Sequence, residues 1–330
     1  MRFRSIVSFV VFIGVLGIGA RAFAVAESGV PSLTIPPGAR PNGMGEAFAA
    51  VADDATASWW NVGGLAFTKH RNLAFMHSQL VPDLASDVYY EFLGYSNPAG
   101  DVGVWAVNLV YLTYGQSIAT DPSGTPLGTF TSWEGALSGS FSMQLAHNIG
   151  AGISMKFIRV QYAPAQYTQD NVDGSGTSFA VDVGALWKLP KQRVNVGLSV
   201  NNAGPNIAFI DREQSDPLPF TGRLGVAYTP IADDVSNLLV TMDIEQSLVW
   251  LIDSSVARRR SEIWHVGAEY RYINLLAGRI GYVYDKDGDF KDMTYGLGFI
   301  YKDKLSLDYA NVPQAQTLQR VHRWSLYFTF

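Results

Sequence analysis

From about residue 70 to the carboxyl terminus, apolar residues alternate with polar ones along the chain, and this period of two predicts β-strands. The last such segment places four apolar side chains on one face and ends with the chain: Trp324, Leu326, Phe328 and Phe330. A globular domain seldom ends this way, whereas a membrane β-barrel must pair its last strand with its first so that no strand edge meets lipid. We therefore predict an all-β transmembrane barrel that this segment closes.

About fourteen segments show the alternation, and an even number suits a single-chain antiparallel barrel. We place them at 71–80, 86–96, 102–114, 131–145, 149–162, 177–189, 193–202, 218–229, 237–249, 261–272, 274–285, 292–302, 304–312 and 321–330. Tight turns follow the second, fourth, sixth, tenth and twelfth segments, and longer connections follow the third, fifth, seventh, ninth and thirteenth. Short periplasmic turns opposite long external loops are typical of a barrel. A soluble β-sandwich gives no reason for this alternation, so we assign residues 70–330 to the barrel.

Residues 1–24 are expected to be a secretory signal peptide. Arg2 and Arg4 precede an apolar, uncharged run from Ile6 to Gly19, and residues 22–24 have the small-x-small pattern of a cleavage site. An uncleaved anchor is the alternative, but the run is short for a spanning helix of about 20 residues. The prediction is export and insertion into the cell outer membrane.

The amino-acid composition excludes cysteine chemistry and argues against one class of binding partner. The chain has no cysteine, and so it forms neither a disulfide nor a thiolate metal site. Its formal net charge of −5 argues against a nucleic-acid partner, because nucleic acids bind basic surfaces. The partners we expect are outer-membrane lipid and lipopolysaccharide, with the barrel assembly machinery during biogenesis.

Residues 25–69 do not follow the period of two and are predicted to form an N-terminal extension with short helices. We expect one helix over Gly43–Ala52, a second turn near Trp59 with an aspartate at its N-cap, and a glycine-rich bend over Asn61–Ala66. A barrel of this size closes without so many extra residues. Their natural place is the lumen, where they would act as a plug or hatch, and a periplasmic arm is the alternative.

The same extension carries a family resemblance. Between Gly38 and Ala66 the chain resembles the N-terminal motif of the PorV/PorQ-type proteins, which belong to the FadL-like superfamily of outer-membrane barrels. The usual motif has an arginine near Gly-Met-Gly, then Asp-Asp-Ala, then Asn-Pro-Ala-Gly-Leu. The residues kept here, which we assign to the hatch motif, are Arg40, Gly43, Met44, Gly45, Asp53, Asp54, Asn61 and Gly64. The chain departs at Val62 and Gly63, where proline and alanine are usual, and this removes a rigid turn.

The resemblance implies fourteen strands, an N-terminal hatch and one of two non-enzymatic functions. Relatives of the PorV kind serve type IX secretion, in which they receive cargo proteins by their C-terminal domains and pass them to other components. FadL-like channels instead take up long-chain fatty acids or other hydrophobic small molecules. The Gly-Met-Gly and Asp-Asp-Ala pattern favours secretion, and the channel stays as the alternative. The resemblance implies no cofactor.

The inward faces of the predicted strands carry charges of both signs, which disfavours a dry apolar tunnel. These residues are Glu91, Glu134, Lys156, Asp182, Lys188, Arg223, Asp243, Glu245, Glu269, Arg271 and Arg279. The third strand is the exception, because both of its faces are apolar. Its candidate lumen patch consists of Val104, Ala106, Val110 and Leu112. The patch either packs against the hatch, which is the interpretation we favour, or forms an apolar binding site.

Neither a catalytic nor a metal site is predicted. His265 and Glu269 share a strand face, and we interpret this as a coincidence of the period. The sequence from Asp285 to Asp289 resembles half a calcium loop, but it lacks the downstream glutamate. Residues 258–260 are three arginines in a predicted external loop, which either meet lipopolysaccharide phosphates or form a solvated charge run.

Overall fold

The computed structural model describes residues 28–168, 171–209, 215–252, 260–314 and 319–330. The predicted signal peptide, residues 1–24, lies outside the described residues, as do Arg258 and Arg259 of the arginine run. Among the described residues, no helix is both long and apolar enough to cross a membrane.

Fourteen antiparallel strands close into a barrel. They are β1 Asn72–Gln79, β2 Val88–Pro98, β3 Val104–Thr120, β4 Pro126–Ala146, β5 Ile149–Ala163, β6 Gly174–Leu189, β7 Val194–Ala203, β10 Thr221–Ala232, β11 Ser236–Ser247, β12 Ile263–Tyr272, β13 Leu276–Asp285, β14 Phe290–Tyr301, β15 Leu305–Val312 and β16 Val321–Thr329. Two short strands, β8 Ile207–Ala208 and β9 Ser215–Asp216, pair with each other in the connection between β7 and β10. The predicted fold class is confirmed.

The last strand pairs with the first. Thr329 lies opposite Asn72, Arg323 lies opposite Ser78, and the N–H of Phe330 donates to the carbonyl of Arg71 at 2.9 Å. The seam leaves β1 without an open edge, because β2 pairs along its other side. Both chain ends of the barrel therefore meet at the end that carries the short turns β2/β3, β4/β5 and β6/β7. The opposite, long-connection end carries the segments that follow β3, β5, β7 and β11.

The strands alternate between a lipid-exposed side and a buried inner side. On β12, Trp264 and Val266 are about two-fifths exposed, at 40% and 42%, whereas the intervening His265 is 2% exposed. Apolar residues outside and ionic residues inside are the arrangement of a barrel in lipid. One inward assignment is wrong, because Tyr90 and Phe92 fill the inner face of β2. Glu91 therefore points outward, where it contacts His77 at 3.2 Å.

An arginine at position 266 is expected to destabilise the barrel by about 2–4 kcal/mol in a bilayer, because this mid-strand side chain faces hydrocarbon. The rim position Tyr272 is the matched control, and Tyr272→Arg is expected to cost about 0–1 kcal/mol. Urea unfolding of both variants in lipid vesicles measures the difference. Equal losses for the two variants would contradict a lipid-facing assignment for β12.

Two short helices precede the barrel, α1 Ala39–Gly43 and α2 Ala57–Trp60, and 3-10 turns span Pro31–Leu33 and Val62–Phe67. The helix predicted over residues 43–52 is wrong. Gly45, Glu46 and Ala52 have positive φ angles of 63°, 65° and 26°, which an α-helix does not contain. The N–H groups of Gly45, Phe48 and Ala49 donate to Thr294 and Asp243 of the barrel wall, which interrupts the helical pattern of hydrogen bonds.

The predicted aspartate N-cap is also placed differently. The residue before α2 is Thr56, and its side chain caps no helical N–H. Asp54 instead accepts hydrogen bonds from the backbone N–H of Thr56 at 2.8 Å and from its hydroxyl. The aspartate therefore closes the turn that leads into the helix, which is an Asx-turn role rather than a cap.

Candidate functional site

The N-terminal segment, residues 28–68, is almost wholly buried against the inner side of the barrel. Its backbone and side chains hydrogen-bond to strands around the whole circumference. The wall residues in these bonds are Met76, Asn108, Glu134, Ala185, Asn195, Arg223, Asp243, Glu269, Thr294 and Ser325. The segment is thus held from many directions rather than along one seam.

The structure brings the three charged residues of the hatch motif together. The Arg40 guanidinium lies 2.5 Å from Asp53 Oδ1 and 3.5 Å from Asp54 Oδ2. Its Nε also donates to Glu269 Oε2 on β12 at 3.0 Å. Arg40 is only 7% exposed, so it needs these partners to compensate for lost hydration.

Glu269 connects the motif to a chain of ion pairs across the wall. It accepts from Arg279 Nε on β13 at 2.6 Å and from Arg271 Nη2 at 2.8 Å. Arg279 in turn pairs with Asp308 on β15. Three guanidinium groups therefore converge on one carboxylate that is 1% exposed.

The Gly-Met-Gly residues lie where the segment touches β12, β13 and β14. Gly45 donates its N–H to Thr294 Oγ1 at 2.9 Å, and its carbonyl accepts from His265 Nδ1 at 2.9 Å. A Cβ on Gly45 would lie 2.6 Å from the carbonyl oxygen of Val266, closer than real Cβ atoms come. Gly43 lies against Gly296, and Met44 is fully buried. The glycines thus permit backbone-to-backbone contact with the wall.

Asn61 and Gly64 fix the end of the segment that lies against β6. Asn61 Nδ2 donates to the carbonyls of Ala49 at 2.7 Å and Ala185 at 3.0 Å, and its Oδ1 accepts from the N–H of Gly63. A Cβ on Gly64 would overlap the carbonyl of Ala52. At the departure from the usual motif, a Cβ on Gly63 would lie 2.6 Å from Ala185 Cα, so the wall at β6 leaves no room for alanine.

The four residues of the apolar patch on β3 are all buried, but they divide between two clusters. Val104 and Ala106 pack with Met44 and Phe48 of the segment. Val110 and Leu112 pack with residues nearer its start, among them Leu33. None of the four lines either cavity described below.

Several site residues were missed by the sequence analysis. The Asp243 carboxylate was predicted to face inward, but not that its Oδ2 accepts the N–H groups of Phe48 and Ala49, both at 2.8 Å. Asp308 and Arg323 were missed altogether. Arg323 donates to the carbonyl of Pro36 at 2.8 Å and to Asn42. Their alternation with Tyr309 and Trp324 was the signal that identifies them as inward-facing.

Burial raises the pKa values of two carboxyl groups of the segment. Burial raises the pKa of Glu46, although the charges of Arg323 and Arg223 oppose the shift. It likewise raises the pKa of Asp54, against the opposing charge of Arg40. Both carboxyls therefore ionise less readily than in water unless a further cation approaches.

Two cavities lie on opposite sides of the segment. The larger, of about 430 Å³, opens at the long-connection end and is lined by residues of the segment and of β5, β7, β10, β11, β12, β13 and β14. The smaller, of about 250 Å³, lies at the short-turn end and includes Arg40, Asp53, Asp54, Arg279 and Asp308. The Arg40 ion pairs thus stand between the larger cavity and the short-turn end.

The residues considered for catalysis and for calcium binding have structural partners within the barrel. His265 hydrogen-bonds Gly45, whereas Glu269 bonds arginines, so the two do not form a pair. At the half calcium loop, Asp285 accepts from the N–H of Gly288 at 2.9 Å and pairs with Arg260 at 3.2 Å. Within the described ranges, no group of three or more histidine, aspartate or glutamate residues is placed to hold a metal ion.

Comparisons with known proteins agree with this architecture. A family model described as "Type IX secretion system protein PorV" matches residues 20–253. Comparison with curated proteins gave no match. The solved toluene transporter TodX of Pseudomonas putida is 13% identical, with a TM-score of 0.57 over 89% of this chain and 96% of TodX.

Two further solved structures are similar. The toluene transporter TbuX of Ralstonia pickettii is 12% identical, with a TM-score of 0.54 over 92% of this chain and 99% of that one. A FadL homologue of Pseudomonas aeruginosa is 13% identical, with a TM-score of 0.50 over 88% and 97%. At such identities, the likeness to solved structures shows the fold alone.

Proposed function

The chain belongs to the PorV family of type IX secretion system proteins, and we propose that it serves secretion as an outer-membrane barrel whose lumen is closed by the N-terminal segment. The observation that carries this proposal is the ring of hydrogen bonds from residues 28–68 to strands on every side of the wall. A segment held this way is a plug that stays in place during function.

The buried ion pairs support a fixed plug. A segment that withdraws Arg40 takes from the buried Glu269 one of its three guanidinium partners, and this opposes withdrawal. A closed lumen leaves the rims of the barrel as the surfaces on which partners bind. The partners we propose are type IX secretion components and the C-terminal domains of cargo proteins. Residues 1–24 direct export, and the protein carries out no covalent chemistry.

Passage of hydrophobic small molecules is the second candidate function. It is favoured by the apolar part of the larger cavity, where Leu33, Val249 and Phe290 line the wall, and by the shared fold of the toluene transporters. Against it stand the ion pairs of Arg40, which lie between that cavity and the short-turn end.

A deletion strain separates the two candidates. We expect proteins with type IX C-terminal domains to stop reaching the cell surface and to accumulate in the periplasm, because their outer-membrane acceptor is absent. Uptake of labelled toluene by the same cells is expected to stay at the parental level. The measurements are surface proteomics and toluene uptake, each with a complemented strain as control. Normal surface display together with lost toluene uptake would overturn the secretion proposal and support the channel.

A further inference from the structure

The larger cavity has a defined mouth and floor. Arg260, Ser261 and Asp285 lie at its mouth, and Glu46, His265, Arg223 and Glu245 lie at its floor beside Trp59. Ser261 and His265 are four residues apart along the chain that enters β12, and both line the cavity. Its volume of about 430 Å³ is that of a small-molecule site.

The cations that line the cavity already have carboxylate partners. Lys156 Nζ lies 2.9 Å from Asp182 Oδ2, and Arg260 lies 3.2 Å from Asp285. Arg223 pairs with Glu245 and lies 3.7 Å from Asp243 Oδ2. A ligand with a carboxylate head would have to displace one of these internal pairs.

Beside the Arg223–Glu245 pair, the floor presents two acceptors that have no donor among the residues that the structure describes, Glu46 and His265 Nε2. His265 Nδ1 donates to the carbonyl of Gly45, so in the neutral ring the Nε2 atom carries a lone pair. This Nε2 accepts no hydrogen bond from any described residue, although the side chain is 2% exposed and lines the cavity. An unpartnered buried acceptor of this kind calls for a donor.

Two carboxylates flank the same imidazole. Glu245 Oε2 lies 3.7 Å from Nε2, and Glu46 Oε2 lies 3.9 Å from Nδ1. Within the described part of the chain, no hydrogen bond reaches the Glu46 carboxylate, and its side chain is 20% exposed. Burial already raises the pKa of this carboxyl, so a cation that arrives from the cavity favours its ionised form.

A primary ammonium group has three donors and no acceptor, and so it can donate both to the unpaired Glu46 carboxylate and to His265 Nε2. We propose that the cavity binds an amphipathic primary amine, with its ammonium group on Glu46 and His265 Nε2. The apolar body of the ligand then lies along the apolar residues of the cavity wall, which are Leu33, Trp59, Val249, Ile263, Val283 and Phe290. This site is a property of the cavity alone and goes beyond the proposed role in secretion.

Binding to the purified protein tests the site directly. The full-length mature barrel in phosphatidylcholine nanodiscs is titrated calorimetrically with benzylamine, benzoate and toluene, three probes of one size that differ in their head group. Benzylamine is expected to bind at least tenfold more tightly than either of the others, because only its head group donates to the floor. Equal or tighter binding of benzoate or toluene would overturn the proposal.

Glu46→Gln is the decisive variant, since it keeps the shape of the side chain and removes its charge. Benzylamine affinity is expected to fall at least tenfold, while the weak binding of toluene stays unchanged. Glu91→Gln, on the outer face of β2, is the matched control and should behave as the wild type. Heat-modified mobility in gels shows whether each variant is folded. A folded Glu46→Gln barrel with wild-type benzylamine affinity would refute the site, whatever the secretion experiment shows.

Discussion

Gly281→Ala is expected to release the N-terminal segment from the barrel wall. Gly281 lies on the inner face of β13, and a Cβ there would overlap the backbone of Met44 and Gly45. Backbone atoms do not swing aside as a flexible side chain does, and Gly45 is fixed by its bonds to Thr294 and His265. Overpacking of this kind costs about 1–3 kcal/mol, which is about a 5- to 150-fold rise in the undocked fraction.

The absence of cysteine from the chain provides the measurement. Ser58 in α2 is 1% exposed, so Ser58→Cys places a single thiol that reacts only when the segment opens. Labelling by a soluble maleimide is expected to be faster in the Gly281→Ala background by the factor given above. Gly278→Ala is the matched control, because Gly278 lies on the same strand with nothing within 4 Å of an added Cβ. Equal labelling rates in the two backgrounds would show that the close approach at Gly281 does not hold the segment.

Glu269→Gln is expected to destabilise the folded barrel by about 3–5 kcal/mol, because it leaves Arg40, Arg271 and Arg279 without their shared carboxylate. The amide keeps the size of the side chain, so the loss reports charge rather than packing. Urea unfolding in vesicles measures the stability, and labelling of Ser58→Cys measures the docking of the segment.

The control for this variant is again Glu91→Gln. Glu91 pairs with His77 in an exposed position, and a pair of that kind contributes about 0–1 kcal/mol. A double variant, Arg40→Gln with Glu269→Gln, is expected to lose less than the sum of the single variants, because the two side chains share one interaction. Strict additivity would mean that Arg40 and Glu269 stabilise the segment independently.

Much of the fold follows from local sequence. Each barrel strand was identified to within six residues of its ends, the largest differences being at the end of β3 and the start of β4, because every strand separates lipid from an ionic interior and therefore alternates. The sequence analysis also placed Glu134, Asp182 and Glu269 on the inner face by the same rule, and the structure has them there. The family motif identified Arg40 and the two aspartates, but not the partner of Arg40 in the wall.

The error with the largest effect on the segment, the predicted helix, comes from a partner far away in the sequence. Residues 43–52 have the composition of a helix, yet Asp243 accepts the N–H groups of Phe48 and Ala49, and this contact spans almost two hundred residues. Glu91 satisfied the alternation as an inward residue, but Tyr90 and Phe92 occupy the lumen beside it. No local pattern contains that information.

The sequence alone determined that this chain is a closed barrel with apolar residues outside, because the contrast between lipid and the interior acts on every strand separately. Only the tertiary structure decided how the N-terminal segment bends, which carboxylate Arg40 meets, and which groups surround His265. Those features depend on hydrogen bonds and ion pairs between distant strands, and their geometry exists only once the barrel has closed.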